Sequence, residues 1–191
     1  MGRGGYVPGR LVSDFLLFNA LTTIKVEHYM RGAKMKAETR IRFPLCVDIG
    51  GKKILIIDDV TDTGNTLQLS VDYVQSLNPA EVRTAVLQHK TCSSFIPDFY
   101  GRKIIRWRWI IYPWARYEDL AGFTEKILED RTLDISQITA EFKDRYHLDV
   151  REKEILEILQ DLAERQEIEK IEKSKLVKWR ARKRMIYSII L

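Results

Sequence analysis

The sequence predicts a doubly wound α/β fold built on a parallel sheet, followed by a smaller helical module. In the stretch 53–57, Lys53 is followed by a continuous apolar run, which is typical of a strand buried on both faces. A stretch with helical spacing follows at residues 66–77, and two further strand-like stretches lie at 81–87 and 104–112. This alternation of strand, helix and strand favours a parallel sheet.

The segments before this run are shorter and more polar. Residues 11–19 predict a short helix after a glycine-rich turn, and residues 22–26 predict a strand. Residues 27–42 are polar and basic, which indicates either a mobile loop or a hairpin arm. Farther along, the helix at 66–77 is expected to end before Pro79, and the strand at 104–112 before Pro113.

The pattern changes at about residue 125, so we predict one domain over residues 1–124 and a second module over 125–191. Asp134 and Gln137 have the spacing of a capping box, which predicts a helix through Arg145. Residues 151–165 carry an apolar stripe at helical spacing, and residues 168–179 suit a short hairpin. Helix, helix and hairpin are the outline of a winged-helix module, and oligomerisation is the alternative role for this segment.

The composition fits a globular protein in a reducing setting. Of the 191 residues, 45% are hydrophobic and 31% are charged, and two cysteines are too few for a disulfide or zinc framework. No apolar run approaches the roughly 20 residues of a membrane helix, and no secretory signal opens the sequence. We therefore expect a cytoplasmic protein. Its net charge of +5 suits a phosphorylated ligand as well as nucleic acid.

Three aspartates crowd the end of the predicted strand at 53–57, where open α/β sheets bind their ligands. Asp58 and Asp59 follow the strand directly, and Asp62 opens the turn that leads to the next helix. That turn, residues 62–66, adds threonine hydroxyls and a glycine in front of a helix N-terminus, which is a site for phosphate. Anion donors beside carboxylate acceptors match a ribose 5-phosphate, because its phosphate takes the donors and its hydroxyls donate to the carboxylates.

Residues 54–66 resemble the phosphoribosyl-pyrophosphate (PRPP) signature of the type I phosphoribosyltransferases, and the resemblance extends over roughly residues 2–119. Residues 2–9, Gly-Arg-Gly-Gly-Tyr-Val-Pro-Gly, are similar to the pyrophosphate loop of that family. Lys90, residues 96–100 and residues 109–114 look like the purine-binding part of its archaeal and bacterial hypoxanthine/guanine branch. The family usually has an acidic residue after the Pro-Trp pair, where Ala115 and Arg116 stand here.

The resemblance implies a role for each matching residue. PRPP would contact the pyrophosphate loop, the acidic pair and the turn: Arg3, Gly4, Gly5, Asp58, Asp59, Asp62, Thr63, Gly64, Asn65 and Thr66. Asp62 would act on N7 of the base as a general base, or stabilise a proton there. Lys90 would donate to the oxygen at C6, Trp109 would stack on the purine, and Ile110 would line the pocket beside it. Mg²⁺ would arrive on PRPP, without a direct protein ligand.

The resemblance implies a purine salvage enzyme that joins a purine base to PRPP, with a 6-oxopurine as first choice and adenine left open. The alternative is a PRPP-sensing transcription regulator that combines this fold with a winged helix. Residues 173–184 hold seven basic residues, yet the helix at 151–165 carries five acidic residues against three basic ones. Nucleic acid and membrane are therefore not expected as partners, and a homodimer or higher homo-oligomer is.

A further expectation concerns the start of the sequence. Gly2 follows Met1 directly, so nothing precedes Arg3 that could form the strand on which a pyrophosphate loop of this kind depends. We therefore expect a sheet without its first strand, and an N-terminally truncated form of a competent enzyme.

Overall fold

Two units with separate cores make up the chain. The computed structural model describes residues 1–30, 37–173 and 176–182, and the units are Met1–Trp109 and Ile110–Leu191. The first unit contains α1 (Tyr6–Phe15), β1 (Lys25–Met30), β2 (Ala37–Phe43), β3 (Lys53–Thr61), α2 (Asn65–Gln75), β4 (Glu81–Lys90) and β5 (Phe99–Ile104). The second contains α3 (Arg116–Leu128), β6 (Thr132–Leu133), α4 (Ile135–Tyr146), α5 (Glu152–Glu164), β7 (Ile168–Lys173) and β8 (Leu176–Ala181).

A parallel sheet in the order β3-β4-β5 forms the centre of the first unit. The apolar run of β3 brings Ile56 into the core, and Val86 of β4 joins it. Helix α2 contributes Leu67 and Val74, which lie on one face because they are separated by two helical turns. This α/β arrangement confirms the predicted fold class.

The two central strands are longer than the sequence predicted. Strand β3 runs past residue 57 to Thr61, and β4 runs past residue 87 to Lys90. Asp58 pairs with Val86, so the acidic pair lies within the paired end of the strand. The extension matters for the site because the pairing fixes the backbone of both aspartates.

The predicted strand at residues 104–112 is wrong. Strand β5 covers Phe99–Ile104 instead, and residues 105–112 have no regular strand structure. The alternating apolar pattern misled the prediction, because Ile105, Trp107 and Trp109 are more than half exposed. Their side chains are not buried against the sheet.

The segments before β3 also differ from the prediction. Helix α1 begins at Tyr6, five residues before the predicted start, and Pro8 fits there because the first turn of a helix needs no intrahelical N–H donors. The hairpin interpretation of residues 27–42 agrees with β1 and β2, which pair antiparallel. Residues 31–36, between these strands, lie outside the described residues.

The side of β3 away from β4 contacts the N-terminal segment. The Met1 amino group donates a hydrogen bond to the Ile57 carbonyl at 2.6 Å. A cavity of about 740 Å³ extends along this side, and its lining includes Leu21, Ile24 and Leu45. Among the described residues, β3 is an edge strand of the parallel sheet.

In its described residues, the second unit combines helices with a small antiparallel sheet. Its antiparallel sheet has the order β6-β8-β7, and α4 and α5 pack beside it around Phe142, Ile158 and Trp179. The predicted capping box is confirmed: Asp134 accepts from the Gln137 backbone, and Gln137 accepts from the Asp134 backbone, both at 3.0 Å. Parts of the basic segment 173–184 (174–175 and 183–184) and all of 185–191 lie outside the described residues.

Helix α3 was not predicted, and residue 124, where the sequence pattern changes, lies inside it. Its buried residues Leu120, Phe123, Ile127 and Leu128 have the i, i+3, i+7, i+8 spacing of an amphipathic helix. Arg116 anchors its first turn by donating to both carboxylate oxygens of Glu154, at 2.8 and 3.1 Å. No helix among residues 1–30, 37–173 and 176–182 has the length and apolarity to cross a membrane.

Gly122 in α3 gives a test of this packing. A Cβ added there would have no neighbouring atom within 4 Å, so Gly122→Ala should stabilise the helix by about 0.5–1 kcal/mol through reduced backbone entropy. Urea unfolding measures the change as a higher midpoint. Gly51→Ala is the control, because Gly51 has φ +68° and alanine should lower the midpoint there. A lower midpoint for Gly122→Ala would contradict the described packing of α3.

Candidate active site

The acidic pair at the end of β3 lies in a partly buried environment. Burial raises the pKa of the Asp58 carboxyl to about 7, and the negative charge of Asp59 acts in the same direction. The positive Met1 amino group opposes this rise, as do backbone N–H bonds from Asp59 and Gly5 to the Asp58 carboxylate. Asp58 therefore titrates near neutral pH.

The glycine pair of the N-terminal loop lies directly against these two aspartates. A Cβ added to Gly4 would lie 2.8 Å from both carboxylate oxygens of Asp59. A Cβ added to Gly5 would lie 2.2 Å from the Ile57 carbonyl oxygen and 3.0 Å from the Asp58 Cα. At Gly5 the neighbours are backbone atoms, so this approach requires glycine there, and the structure brings the predicted pyrophosphate loop and the predicted ribose-binding acids together.

The turn after β3 presents the N-terminus of α2 at the same end of the sheet. Gly64 precedes the helix with φ +92°, a left-handed conformation that favours glycine. A side chain there would also meet Phe95 and the Ser93 hydroxyl at 2.7 Å. Ser94 holds the turn by donating to the Thr63 carbonyl from its backbone N–H and its hydroxyl, at 3.1 and 2.9 Å. Asn65 and Thr66 open the helix, where backbone N–H groups and the helix dipole favour an anion.

Asp62 and Lys90 form an ion pair beside this turn. Lys90 ends β4 with only 4% of its surface exposed, and its Nζ donates to Asp62 Oδ2 at 3.0 Å. The Asp62 side chain is 43% exposed, so the carboxylate faces outward while its partner is buried. Burial of an ammonium group is costly without such a partner. The structure thus brings together the two residues that the resemblance assigned to N7 and to the C6 oxygen of one base.

Trp107 completes this group, and the sequence prediction missed it. Its Nε1 donates to Asp62 Oδ1 at 3.1 Å, and the Lys90 Nζ lies 4.5 Å from the centre of its ring. Trp109, the predicted stacking residue, is 54% exposed, and its ring centre lies 6.5 Å from that of Trp107 in an edge arrangement. In the sequence, the one indication of a role for Trp107 is its position two residues before Trp109, the predicted stacking residue. Ile110 begins the second unit.

Other titratable residues have structural surroundings. His89 is buried, and its Nδ1 lies 3.2 Å from the Thr61 hydroxyl in a contact between β3 and β4. His147 ends α4 in a left-handed conformation with φ 55°. Cys92 is exposed, with its Sγ 3.6 Å from the Asp62 carbonyl oxygen. Over the described residues, no three His, Cys, Asp or Glu side chains gather in a way that could hold a metal ion.

Comparison with known proteins gives a consistent set of relatives. A xanthine-guanine phosphoribosyltransferase of Cereibacter sphaeroides is 33% identical over 113 residues, which are 59% of this chain and 64% of that protein. A hypoxanthine-guanine phosphoribosyltransferase of Aquifex aeolicus is 31% identical over 97 residues, 49% of this chain and 54% of that protein. The chain therefore spans less than two thirds of either relative.

A solved structure also resembles this one. The crystal structure of a purine phosphoribosyltransferase from Pyrococcus horikoshii superposes with a TM-score of 0.54 and 34% identity, covering 59% of this chain and 73% of that one. The phosphoribosyl transferase domain matches residues 2–118, a span that includes the glycine loop, the acidic pair, Asp62 and Lys90. Because this match covers more than half of the sequence, the chain belongs to the phosphoribosyl transferase domain family.

Proposed function

We propose that the protein is a purine phosphoribosyltransferase of nucleotide salvage, which converts a purine base and PRPP into a purine nucleoside 5′-monophosphate and pyrophosphate. The observation that carries this proposal is the convergence of the Gly4–Gly5 loop, the acidic pair and the Asp62–Lys90 ion pair at one end of the sheet. The names of the relatives support the same reaction. A steady-state assay with PRPP, Mg²⁺ and each of four purine bases tests it directly.

In this reaction a purine nitrogen forms a bond to ribose C1, while the bond from C1 to the pyrophosphate oxygen breaks. The imidazole ring of the base loses its proton from N7 to Asp62 or to solvent, and the electron pair of the broken bond leaves with pyrophosphate. Positive charge develops at C1 as the leaving group departs, so carboxylates near the ribose stabilise the transition state. Asp58 and Asp59 supply those carboxylates and accept hydrogen bonds from the ribose hydroxyls.

The phosphate groups of PRPP have donors on two sides. Thr63, Gly64, Asn65 and Thr66 would hold the 5-phosphate at the start of α2. Arg3, Gly4 and Gly5 would hold the pyrophosphate. Mg²⁺ bound to PRPP supplies charge neutralisation there. The geometry suits a substrate-borne cation, because the Gly4 backbone lies so close to the Asp59 carboxylate that a pyrophosphate on this loop adds a second anion beside it.

Lys90 favours a base with an oxygen at C6. Its ammonium group is a donor and has no acceptor lone pair, so it matches a 6-oxo group and opposes the amino group of adenine. The reported relatives are named for xanthine, guanine and hypoxanthine, and adenine, which the sequence left open, gains no support from them. We therefore propose a 6-oxopurine substrate, with Trp109 as the stacking surface and Ile110 as a further lining residue.

The regulator alternative gains no support either. The relatives are named as enzymes, and the base-directed pair Asp62 and Lys90 would be unnecessary in a protein that only senses PRPP. In the second unit, α5 presents Glu152, Glu157 and Glu164 on its exposed side, which disfavours a helix in a DNA groove. A homo-oligomeric state stays a prediction of this proposal. So does a cytoplasmic location, where the protein would meet PRPP and purine bases.

Asp62→Asn should lower turnover by about 10²–10⁴-fold and change the KM for PRPP much less, because the carboxylate is proposed to act on the base. Steady-state rates at saturating PRPP measure this effect. Asp72→Asn is the matched control, since the Asp72 side chain is exposed on α2 and accepts a hydrogen bond from the Gln68 side chain one helical turn away. Unchanged turnover in Asp62→Asn would remove Asp62 from the chemistry.

Lys90→Met should weaken binding of 6-oxopurines by about 1–3 kcal/mol, because the C6 oxygen loses its donor while the methionine retains the length of the side chain. The KM values for hypoxanthine, guanine and xanthine measure the loss. Lys53→Met is the control, because the Lys53 side chain is 82% exposed at the start of β3. An equal loss of PRPP affinity would indicate that Lys90 has a structural role instead.

The KM for PRPP should rise several-fold as the pH falls from about 8 to about 6. The pKa of Asp58 is raised to about 7, so its carboxyl is protonated at the lower pH and loses an acceptor for the ribose hydroxyls. PRPP itself also titrates in this range, so Asp58→Asn serves as the reference. The pH dependence of the variant should be flatter, and identical profiles for the variant and the wild type would contradict the assignment of Asp58.

A further inference from the structure

Trp107 contacts both groups that the proposed function assigns to the purine base. Its indole N–H donates to Asp62 Oδ1 at 3.1 Å, while Lys90 holds Asp62 Oδ2 at 3.0 Å. The Lys90 ammonium also lies 4.5 Å from the centre of the indole ring, within the range of a cation–π contact. Both oxygens of the Asp62 carboxylate are therefore engaged when no base is bound.

The indole resembles a purine in the features that matter at this position. Both are planar fused systems of a five- and a six-membered ring, and both carry an N–H on the five-membered ring. In the proposed reaction a purine presents its imidazole edge to Asp62, and here the pyrrole edge of Trp107 does so. The side chain thus occupies one of the hydrogen-bonding positions that an incoming base requires.

The burial of these side chains indicates which of them can move. Trp107 is 59% exposed, whereas Lys90 is only 4% exposed and is fixed at the end of β4. Residues 107–109 have no regular secondary structure, so strand pairing does not fix the Trp107 backbone. Its indole can leave Asp62 without opening a core cavity, since most of its surface already faces solvent.

We propose that Trp107 closes the base subsite of the ligand-free protein, and that a purine binds by displacing the indole from Asp62 and Lys90. The inference rests on the proposed function, since the subsite is defined by those two residues. The apparent affinity for the base is then the intrinsic affinity multiplied by the fraction of molecules in which the indole has left Asp62. It leaves the chemical step unaffected, because Asp62 is released before the base reacts.

Two substitutions separate this role from that of a stacking wall. Trp107→Phe removes the N–H but retains an aromatic ring beside Lys90, and Trp107→Leu removes both. If Trp107 competes with the base, both variants should lower the KM for guanine by about three- to tenfold, at unchanged kcat and unchanged KM for PRPP. An unchanged KM in Trp107→Phe, or a raised one in either variant, would overturn the proposal.

The contact can also be measured without catalysis. In ¹⁵N–¹H spectra of the full chain, the indole signal that disappears in Trp107→Phe belongs to Trp107. Asp62→Asn should move that signal by weakening its acceptor, and addition of GMP to the wild type should move it in the same direction. The Trp179 signal, from the core of the second unit, is the internal reference.

The outcomes of this measurement are distinct. A Trp107 signal that does not move in Asp62→Asn, or that stays unmoved when calorimetry shows GMP bound, would overturn this inference alone. Absence of transferase activity with every base, while Asp62→Asn still moves the signal, would overturn the proposed function instead.

Discussion

Repulsion between two adjacent carboxylates is the constraint on which the candidate site depends. Asp58 and Asp59 are neighbours near the end of β3, and the negative charge of Asp59 raises the pKa of Asp58 in the same direction as burial does. The aspartates at this end of the sheet have different electrostatic surroundings. The pKa of Asp58 is raised to about 7, and Asp62 faces the buried Lys90 ammonium at 3.0 Å. A cation carried by the proposed substrate would add positive charge beside these carboxylates.

The same constraint explains why backbone rather than side chain approaches the acidic pair. A side chain on Gly5 would collide with the Ile57 carbonyl oxygen, so this position requires glycine, and a side chain on Gly4 would force the Asp59 carboxylate to shift. The close approach allows the Gly5 N–H to donate to the Asp58 carboxylate. A backbone N–H is a fixed donor that needs no side-chain ordering, which suits a loop proposed to bind pyrophosphate.

Local signals in the sequence were sufficient for the sheet and the acidic turn, because the apolar run, the paired aspartates and the turn glycine each constrain the backbone directly. The Asp134 capping box was predictable for the same reason. The sequence-based predictions were wrong where apolar residues lie outside the sheet. Trp107 and Trp109 alternate as strand residues do, yet both are exposed, and so the third strand was placed too late. The contact of Trp107 with Asp62 could not be predicted from the sequence, because it depends on the backbone path of a segment without regular secondary structure.

The polar contacts around Asp62 bear on the selectivity of the proposed base subsite. In the ligand-free protein, Asp62 already accepts from Lys90 and from the Trp107 indole, so a purine exchanges existing hydrogen bonds rather than adding new ones. The net gain from a correct base is then small, and the penalty for an incorrect one is comparatively large. In the proposed complex, a 6-oxopurine gives the Lys90 ammonium a further acceptor. Adenine would place an amino group, a second donor, against that ammonium, and a buried polar group facing another donor is costly. Under this proposal, discrimination arises from the mismatch between two donors, and the burial of Lys90 is the property that makes the mismatch costly.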